Sequence, residues 1–380
     1  MKILAVTGSR ADWGLLVPVL DLLRNNMRFN LEIAATGQHV MAGSASLEAI
    51  QADGHRVNHI IEMGLDSDDS PAALARAMGV ATASLGAVLA SSQPDLLLIL
   101  GDRYEILAVA LAAVVARVPI AHLYGGDITE GAIDDCIRHA ITKLAALHFA
   151  SNPESAARIL QMGETPTRVH TVGSTGIDRA LTLKPLARDD FFASVGPVGF
   201  RQNFVITFHP ATLSDNPIAQ AQAMLDALDA FPETGLIFTG SNADPGASAI
   251  ESLVQAYVAD RENAVFHTSL GSLRYFSALT HCDLIVGNSS SGLLEAPSFL
   301  LPTVNIGDRQ ARRPRASSVF DCEPNQDAIT SAINLALMHD CSKTNNPYGD
   351  GHAAKRVLDI IDAVAFPELL VRKSFVDFHK

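Results

Sequence analysis

The sequence predicts an α/β protein with two doubly wound domains, each a parallel sheet covered by helices on both faces. Short apolar runs alternate with longer segments of helical period, which is typical of repeated strand–helix units. The alternation is interrupted once in the middle of the chain and then restarts. The 380 residues are enough for two domains, each with its own core.

The first half opens with a predicted buried strand over residues 3–7. The helix predicted after it carries Leu16, Val19, Leu20 and Leu23 on one face. A later run, residues 96–100, is continuously apolar, as expected for a strand that helices cover on both faces. Strands are predicted over residues 3–7, 31–36, 96–100, 120–123 and 169–172, and helices over 13–25, 106–117 and 134–144.

The second half repeats this pattern. Pro185 and Pro197 fall where helical periodicity is lost, so the domains are expected to join within residues 184–201. This predicts an N-terminal Rossmann-like domain over 1–183 and a second over 184–366. Strands are predicted over 204–208, 236–239, 265–267, 284–286 and 304–306, and a helix over 219–231.

Composition excludes several classes of protein. The net charge of −13 argues against nucleic acid and anionic membranes as main partners. The four cysteines form no C-x-x-C pair, which favours reduced, buried thiols. The apolar run at the N-terminus is too short for a signal peptide, and no apolar run approaches the length of a transmembrane helix. We therefore expect a cytoplasmic protein.

Polar residues follow the strands of the first half, where open α/β sheets bind their ligands. The turn after residue 7 carries Arg10 and lacks the dinucleotide fingerprint; a solvated arginine in an ordinary loop is the alternative. Asp102 follows the strand at 96–100, where apolar surroundings favour a raised pKa. An aspartate that caps a helix and pairs with Arg103 is the alternative there.

The next loop contains a glycine pair, and a predicted helix rich in charges follows it. Gly125 and Gly126 would let backbone approach a ligand closely. Asp134 and Arg138 are four residues apart, so they share a helical face. Capping of that helix is the alternative role for one of its two N-terminal aspartates.

In the second half, His209 ends a predicted strand, and Pro210 restricts its backbone. A purely structural histidine is the alternative.

The sequence GNSSSG at 287–292 opens a predicted helix whose N-terminus would bind phosphate, with Glu295 placed to accept from ribose hydroxyls. Four arginines within 309–315 would pair with phosphate oxygens, or form a solvated basic loop. No zinc spacing or Walker A loop is present, so we expect no metal and no cofactor.

At these residues the chain resembles the hydrolysing UDP-N-acetylglucosamine 2-epimerases, bacterial enzymes that start the synthesis of sialic-acid-type sugars. Each similar stretch is weak alone, but together they span nearly the whole chain in the order of that family. The stretches are TGSRAD at 7–12, GDRYE at 101–105, IDDCIRHAITK at 133–143, FHP at 208–210, GSNAD at 240–244, GNSSSG at 287–292, NIGDRQ at 305–310 and PYGDG at 347–351.

The resemblance implies a GT-B-like architecture with the active site in the cleft between the domains, and a C-terminal helix over 367–380 that packs on the first domain. It implies catalytic roles for the carboxylates and the histidine, and substrate contacts for most of the remaining polar residues. The implied catalytic residues are Asp102, Asp134, His209, Asp127 and Tyr124. The implied substrate-binding residues are Arg10, Arg103, Asp135, Arg138, Asn242, Ser289, Ser290, Glu295 and Arg309.

Tyr124 departs from the family pattern. Several members carry a glutamate immediately before the glycine pair, where this chain has Tyr124. Asp127 is a possible substitute for that glutamate. A tyrosine here also suits a different sugar, a 4-acetamido-4,6-dideoxy relative of N-acetylglucosamine used toward legionaminic-type acids.

The family reaction implies a UDP-sugar as partner and a homo-oligomer, a dimer or a tetramer. A carboxylate removes the C2 proton as UDP leaves C1, and water then adds to the resulting glycal with inversion at C2. The alternatives are a non-hydrolysing epimerase, a glycosyltransferase and a non-catalytic nucleotide-sugar sensor. The same reaction on UDP- or GDP-N,N′-diacetylbacillosamine is a further alternative.

Overall fold

The chain leaves its first structural unit and later returns to it. The computed structural model describes residues 1–41, 46–64, 70–129, 133–196, 200–210, 216–240 and 247–377. The first unit comprises Met1–Arg179 and Tyr348–Lys380, and the second comprises Ala180–Pro347. The predicted boundaries, 183/184 and 366/367, differ from these, most of all in the placement of residues 348–366.

The first unit is built on a parallel sheet of seven strands, in the order β3-β2-β1-β4-β5-β6-β7. Side chains alternate across it: Ile3 and Ala5 lie in the core on one face, and Leu4 and Val6 in the core on the other. The strands are β1 (Lys2–Thr7), β2 (Asn30–Ala35), β3 (His59–Ile60), β4 (Leu96–Leu100), β5 (Ile120–Leu123), β6 (Leu147–Ala150) and β7 (Val169–Thr171).

Helices cover both faces of this sheet. Short 3-10 helices occupy Gly37–Val40, Pro166–Arg168 and Pro367–Val371. The α-helices of the unit are α1 (Arg10–Arg24), α2 (Ser46–Ala52), α3 (Pro71–Ser92), α4 (Tyr104–Val115), α5 (Ile133–Leu144), α6 (Pro153–Gln161), α7 (Thr175–Thr182, which crosses the unit boundary) and α14 (Ala353–Asp362).

Helix α14 explains why residues 348–366 belong to the first unit. Ala354, Val357 and Ile361 lie in the same core cluster as the buried face of α1. The returning chain is fixed where it enters, because Ser174 N–H donates to the carbonyl of Tyr348 at 2.6 Å. The amphipathic pattern of this segment is local, whereas its packing partner lies more than 300 positions away, so sequence pattern alone did not assign it.

The helix expected over 367–380 is wrong in type. Within the described residues of this segment, a 3-10 helix forms at Pro367–Val371, and residues 372–377 follow it without regular secondary structure. The segment makes contacts with the first unit. Lys373 Nζ lies 2.9 Å from Glu164 Oε2, and the ring of Phe375 lies over the Cα of Gly163 and the ammonium group of Lys143.

Helix α3 also departs from an expectation. Among the described residues, it is the helix that is long and apolar enough to cross a membrane by length and composition alone. In the structure, one face of α3 is buried in the core of the first unit, through Ala77, Ala81, Leu85 and Leu89.

The second unit contains a parallel sheet of six strands in the order β10-β9-β8-β11-β12-β13. Phe204 and Ile206 enter the core on one face, while Val205 enters the core on the other. The strands are β8 (Gln202–Thr207), β9 (Thr234–Thr239), β10 (Ala264–His267), β11 (Leu284–Gly287), β12 (Thr303–Ile306) and β13 (Val319–Cys322). The helices are α8 (Arg188–Val195), α9 (Pro217–Leu228), α10 (Ala247–Ala259), α11 (Gly271–His281), α12 (Ser291–Leu294) and α13 (Gln326–Met338), with 3-10 helices at Ala296–Phe299 and Cys341–Lys343.

Both sheets confirm the predicted α/β class with two doubly wound domains. In each sheet the strand order reverses once, between β1 and β4 in the first unit and between β8 and β11 in the second. Ligands of open parallel sheets bind outside the carboxyl ends of the strands at such a reversal. The two reversals therefore mark where a site is expected in each unit.

Candidate active site

Asp102 lies at the reversal of the first sheet, directly after β4. Gly101, with φ of +87°, turns the chain at that point. The carbonyl of Gly101 accepts a hydrogen bond from Nε2 of His122 at 2.8 Å. Burial lowers the pKa of His122 to about 3, so this ring is neutral and donates through one nitrogen. A side chain of β5, His122, therefore fixes the backbone that carries Asp102.

Arg138 on α5 binds the carboxylate of Asp102. One of its terminal nitrogens donates to Asp102 Oδ2 and also to Thr129 Oγ1 at 2.9 Å. The other donates to the carbonyl of Asp127 at 2.8 Å and lies 3.6 Å from Asp135 Oδ1. Arg138 is only 6% exposed, so its charge acts with little screening by water.

Asp134 lies in the first turn of α5 and is half-buried. Burial raises its pKa, and the nearby negative charge of Asp102 raises it further, while Arg103 and Arg138 oppose the shift. The structure thus brings the predicted residues Asp102, Asp134, Arg103 and Arg138 together. A pair of interacting carboxyl groups, one of them with a raised pKa, is suited to acid–base chemistry.

Two further buried carboxyl groups pack around Gly8 at the same end of the sheet. A Cβ placed on Gly8 would lie 2.9 Å from Glu105 Oε1 and 3.4 Å from Asp12 Oδ2. Glu105 is fully buried, and its Oε1 accepts from Nε of Arg103 at 2.5 Å. Asp12 Oδ2 and Glu105 Oε2 have no hydrogen-bond partner among the described residues.

Sequence reasoning missed these two groups. It treated Asp12 and Glu105 only as letters of two motifs, although a signal was available: charged residues directly follow the apolar strands at 3–7 and 96–100. Glu105 holds Arg103, whose guanidinium group lies near enough to Asp134 to lower its pKa. Glu105 therefore acts on the acid–base pair through Arg103.

The buried carboxyl of Asp12 predicts a pH-dependent stability. Burial raises the pKa of Asp12 from 3.8 to about 6; Glu105 adds to the shift, and a hydrogen bond from Ser9 opposes it. A carboxyl whose pKa is raised in the folded state favours folding when protonated. Its contribution is therefore complete below about pH 4 and is lost as pH rises toward 6. The free energy of unfolding should fall by up to about 3 kcal/mol across this window.

Asp12→Asn should remove that fall, because asparagine does not titrate. Urea unfolding gives the free energy of unfolding of wild type and of the variant at pH 4 and at pH 7.5, and so shows how much each protein loses between the two pH values. The variant should gain stability relative to wild type at pH 7.5 and not at pH 4. Equal pH dependence of the two proteins would contradict the assignment. Asp53→Asn is the matched control, because it makes the same substitution at an exposed aspartate, which accepts from Trp13 Nε1 at 2.7 Å.

Two of the implied catalytic residues make structural contacts. Tyr124 has a positive φ of +64°, and its hydroxyl hydrogen-bonds to Ser174 Oγ at 2.9 Å and Thr175 Oγ1 at 3.0 Å. Its ring packs against the core cluster that contains α1. The carboxylate of Asp127 accepts hydrogen bonds at the start of α6. Both side chains are thus held within the first unit.

Arg10 is exposed at the first position of α1. The preceding residue, Ser9, caps that helix by accepting from Asp12 N–H at 3.2 Å. The turn that carries Arg10 also packs against Gly37, because the carbonyl of Gly8 accepts from Gln38 N–H at 2.8 Å. Arg10 therefore extends into solvent from a fixed turn at the same end of the sheet as Asp102.

In the second unit, Asn288 joins the segments that carry the predicted anion-binding residues. Its Oδ1 accepts from His209 N–H at 2.7 Å, and its Nδ2 donates to the carbonyl of His209 at 2.8 Å. Its own carbonyl accepts from Arg309 Nη1 at 3.2 Å and from Gln310 Nε2 at 3.0 Å. The end of β8, the GNSSSG loop and the arginine loop therefore meet at the reversal of the second sheet. Ser289 and Ser290 follow Asn288 directly.

The helix that follows the loop is shorter than the sequence suggests. Helix α12 has only four residues, and the 3-10 helix at Ala296–Phe299 continues it. A helix this short adds little macrodipole, so local N–H groups and hydroxyls must do most of any anion binding. Glu295 lies between the two helices and is half-buried, and removal of its carboxyl group from water raises its pKa.

Two further predictions concern residues of the second unit. Of the four arginines in 309–315, Arg315 is used structurally, because it donates to Asp321 at 3.0 Å and to the carbonyl of Gln310 at 2.8 Å. Asn242 lies outside the described residues. Within the described ranges, no group of three or more His, Cys, Asp or Glu side chains could hold a metal ion.

Comparisons with known proteins give a consistent family. The family described as UDP-N-acetylglucosamine 2-epimerase matches residues 21–362. A polysialic acid biosynthesis protein of Escherichia coli is 34% identical, over 95% of this chain and 93% of its own. The hydrolysing UDP-N,N′-diacetylbacillosamine 2-epimerase of Legionella pneumophila is 33% identical, over 98% of each chain. A UDP-N-acetylglucosamine 2-epimerase of Neisseria meningitidis is 25% identical, over 100% of this chain and 99% of its own.

Solved structures support the fold. The crystal structure of the Neisseria meningitidis UDP-GlcNAc 2-epimerase bound to UDP-GlcNAc matches with a TM-score of 0.77 and 18% identity, over 95% of this chain and 99% of that one. The enzyme from Methanocaldococcus jannaschii matches with a TM-score of 0.76 and 18% identity, over the same shares. At this level of identity the likeness concerns the arrangement of the backbone.

Proposed function

The chain belongs to the UDP-N-acetylglucosamine 2-epimerase family, and from that premise we propose that it is a hydrolysing nucleotide-sugar 2-epimerase. It would convert a UDP-linked N-acetylaminosugar and water into UDP and the free sugar with inverted C2. The observation that carries the proposal is the pair of carboxyl groups, Asp102 and Asp134, held with two arginines at the reversal of the first sheet. Non-catalytic binding does not require such a pair.

In the first half of the reaction, Asp102 takes the proton from C2 of the sugar. The electron pair of that C–H bond forms the C1–C2 double bond, and the C1–O bond breaks as UDP leaves. The base needs to lie within hydrogen-bond reach of this proton. Arg138 fixes the carboxylate of Asp102 in one orientation for the transfer.

In the second half, water adds to the glycal. Its oxygen bonds to C1 and gives up one proton to solvent, while the electron pair of the C1–C2 double bond takes a proton at C2 on the face opposite the one from which the first was removed. Asp102 then releases its proton to solvent, and solvent restores the proton that the donor gave. We assign this donor role to Asp134, whose pKa is raised by burial and by the nearby negative charge of Asp102. The product is the C2 epimer as a free sugar.

We assign departure of the diphosphate to the cationic and hydroxyl groups of the predicted set. Guanidinium groups stabilise developing phosphate charge through paired hydrogen bonds. The proposed diphosphate ligands are Arg10, Ser289, Ser290 and Arg309, the proposed ribose ligand is Glu295, and the proposed sugar contacts are Arg103, Asp135, His209 and Asn242.

For the sugar, UDP-N-acetylglucosamine remains the first candidate, with N-acetylmannosamine as the product. A second candidate is favoured by the relatives. The two relatives named as hydrolysing diacetylbacillosamine 2-epimerases, from Legionella pneumophila and Campylobacter jejuni, are 33% and 35% identical, against 25% for the Neisseria UDP-N-acetylglucosamine enzyme. UDP- or GDP-N,N′-diacetylbacillosamine is therefore the alternative substrate.

The test is turnover followed by proton NMR in D₂O, with UDP-GlcNAc and with UDP- and GDP-diacetylbacillosamine. The proposal expects release of the nucleoside diphosphate, a free C2-inverted sugar and deuterium at C2. A non-hydrolysing epimerase would give the inverted nucleotide-sugar without free nucleotide. A glycosyltransferase would leave C2 unexchanged, and a sensor would leave every substrate intact.

We predict that turnover needs no divalent metal. The proposed reaction neutralises the diphosphate with arginines, so removing metal should leave kcat unchanged. The measurement compares initial rates in excess EDTA with rates after Mg²⁺ or Mn²⁺ is added back. Loss of activity in EDTA that either metal restores would contradict the prediction.

We also propose a cytoplasmic homo-oligomer, a dimer or a tetramer. Light scattering coupled to size-exclusion chromatography gives the molar mass in solution, to be compared with 40.3 kDa for one chain. A single peak at the mass of one chain would contradict the oligomer.

A further inference from the structure

Asp127 occupies a pocket of neutral donors rather than an open position. Its carboxylate accepts from Ser151 Oγ at 3.0 Å, from Asn152 Nδ2 at 3.4 Å and from the hydroxyl of Ser155. All three donors are at least 98% buried. They lie at the end of β6 and in the first turn of α6, so the carboxylate fastens its loop to that helix.

The neighbouring glycine shows how close the loop and the helix lie. A Cβ on Gly126 would be 2.2 Å from the carbonyl oxygen of Ser155, and its φ is +79°. Arg158 on α6 donates to the carbonyl of Gly126 at 2.9 Å. Backbone packing and the hydrogen bonds made by the side chains of Asp127 and Arg158 therefore hold residues 126–127 against α6.

The other side of Asp127 leads to the proposed base. Its carbonyl accepts from one terminal nitrogen of Arg138 at 2.8 Å, and the other terminal nitrogen of Arg138 binds Asp102. The planar guanidinium group has fixed donor directions, so fixing one nitrogen orients the other. A continuous set of contacts thus runs from α6 through Asp127 and Arg138 to Asp102.

We propose that Asp127 is a positioning residue and not a proton-transfer group. Its carboxylate accepts the hydrogen bonds that hold the loop, and its backbone carbonyl sets the orientation of Arg138. Arg138 in turn holds Asp102. The inference rests on the proposed function only in taking Asp102 as the base. It replaces the idea that Asp127 substitutes for the glutamate that relatives carry before the glycine pair.

A small displacement of this loop should have a large effect on rate. A shift of about 1 Å in a reacting group can cost about 10²-fold in rate. Detaching the loop should therefore lower kcat.

The decisive experiment removes the donors and leaves the carboxylate in place. The double variant Ser151→Ala with Ser155→Ala should lower kcat by about 10²-fold, as Asp127→Ala should. Asp127→Asn keeps the shape and an accepting oxygen, so it should stay within about tenfold of wild type, below the loss typical of a removed acid or base. Asp340→Ala, at an exposed aspartate that caps a 3-10 helix in the second unit, is the matched control and should leave kcat unchanged.

Opposite results would overturn the inference. If Asp127→Asn loses as much activity as Asp127→Ala while the double serine variant stays near wild type, then Asp127 transfers a proton. If all these variants match wild type, the set of contacts has no bearing on the reaction. Should Asp127→Ala fail to fold, the serine pair and the asparagine variant still decide between the two roles.

A structural readout separates this inference from the proposed function. A crystal structure of the double serine variant should show the guanidinium group of Arg138 displaced from Asp102, whichever substrate the enzyme takes. An unmoved Arg138 would overturn the positioning role. A wild type that turns over none of the nucleotide-sugars in the panel would instead contradict the proposed function.

Discussion

Replacing Asp102 by asparagine is expected to lower kcat by about 10²–10⁴-fold, the usual contribution of a general acid or base. Asparagine keeps the shape of the side chain at the end of β4 and can still accept from Arg138, but it cannot take the C2 proton. Affinity for UDP should stay within about threefold, because the proposed nucleotide contacts lie on other residues. Steady-state kinetics and calorimetric titration of UDP measure the two quantities.

The control for Asp102→Asn lies at the opposite end of the same strand. Asp95 precedes β4 and accepts from the backbone N–H of Lys2 at 2.7 Å. Asp95→Asn makes the same chemical change at the amino end of the strands, away from the proposed site, so kcat should change less than about twofold. If Asp102→Asn keeps more than half of the wild-type kcat, Asp102 is structural.

Gly287→Ala is expected to lower the free energy of unfolding strongly. Gly287 ends β11 with φ of +140°, and a Cβ there would lie 1.9 Å from the carbonyl oxygen of Thr207. That oxygen belongs to the backbone of β8, so the strands must separate to admit a methyl group. Backbone strain alone costs about 1–3 kcal/mol, and the clash adds to it. We expect a fall of about 3 kcal/mol or more in the free energy of unfolding.

The same substitution should weaken UDP binding, because it separates His209 from the loop that begins at Asn288. Calorimetry should show a lower melting temperature, and titration a weaker affinity. Gly86→Ala in α3 is the control: no heavy atom lies within 4 Å of a Cβ there, and alanine in a helix interior should add about 0.5–1 kcal/mol. A Gly287→Ala variant as stable as wild type would refute the packing argument.

Periodicity predicted much of the fold because buried parallel strands are apolar on both faces. The strands at 96–100 and 120–123 were predicted with their observed bounds. β6, at Leu147–Ala150, was missed because its four residues follow α5 with almost no turn between them. β3 was missed because two residues, one of them histidine, carry no apolar run.

Some residues of the candidate site were likewise predictable from the sequence, and others were not. Asp102 was predictable, since a charged residue that ends a buried strand stands out in the sequence. The placement of Asp12 beside Glu105 was not, because their proximity results from the pairing of β1 with β4 across more than 80 residues. The contacts of Tyr124 with Ser174 and Thr175 are equally remote in sequence. Its hydroxyl is bound inside the first unit, which favours a packing role over contact with a sugar substituent.

Helix α14 has a consequence for how the protein is made. During synthesis, every residue of the second unit leaves the ribosome before Ala354, Val357 and Ile361 can cover their share of α1. Part of the apolar surface of the first unit therefore stays exposed while the second unit is translated. Exposed apolar surface of this kind promotes aggregation of nascent chains. A nascent chain that stalls before α14 would therefore be a natural client for chaperones, even though most of its first sheet has already emerged.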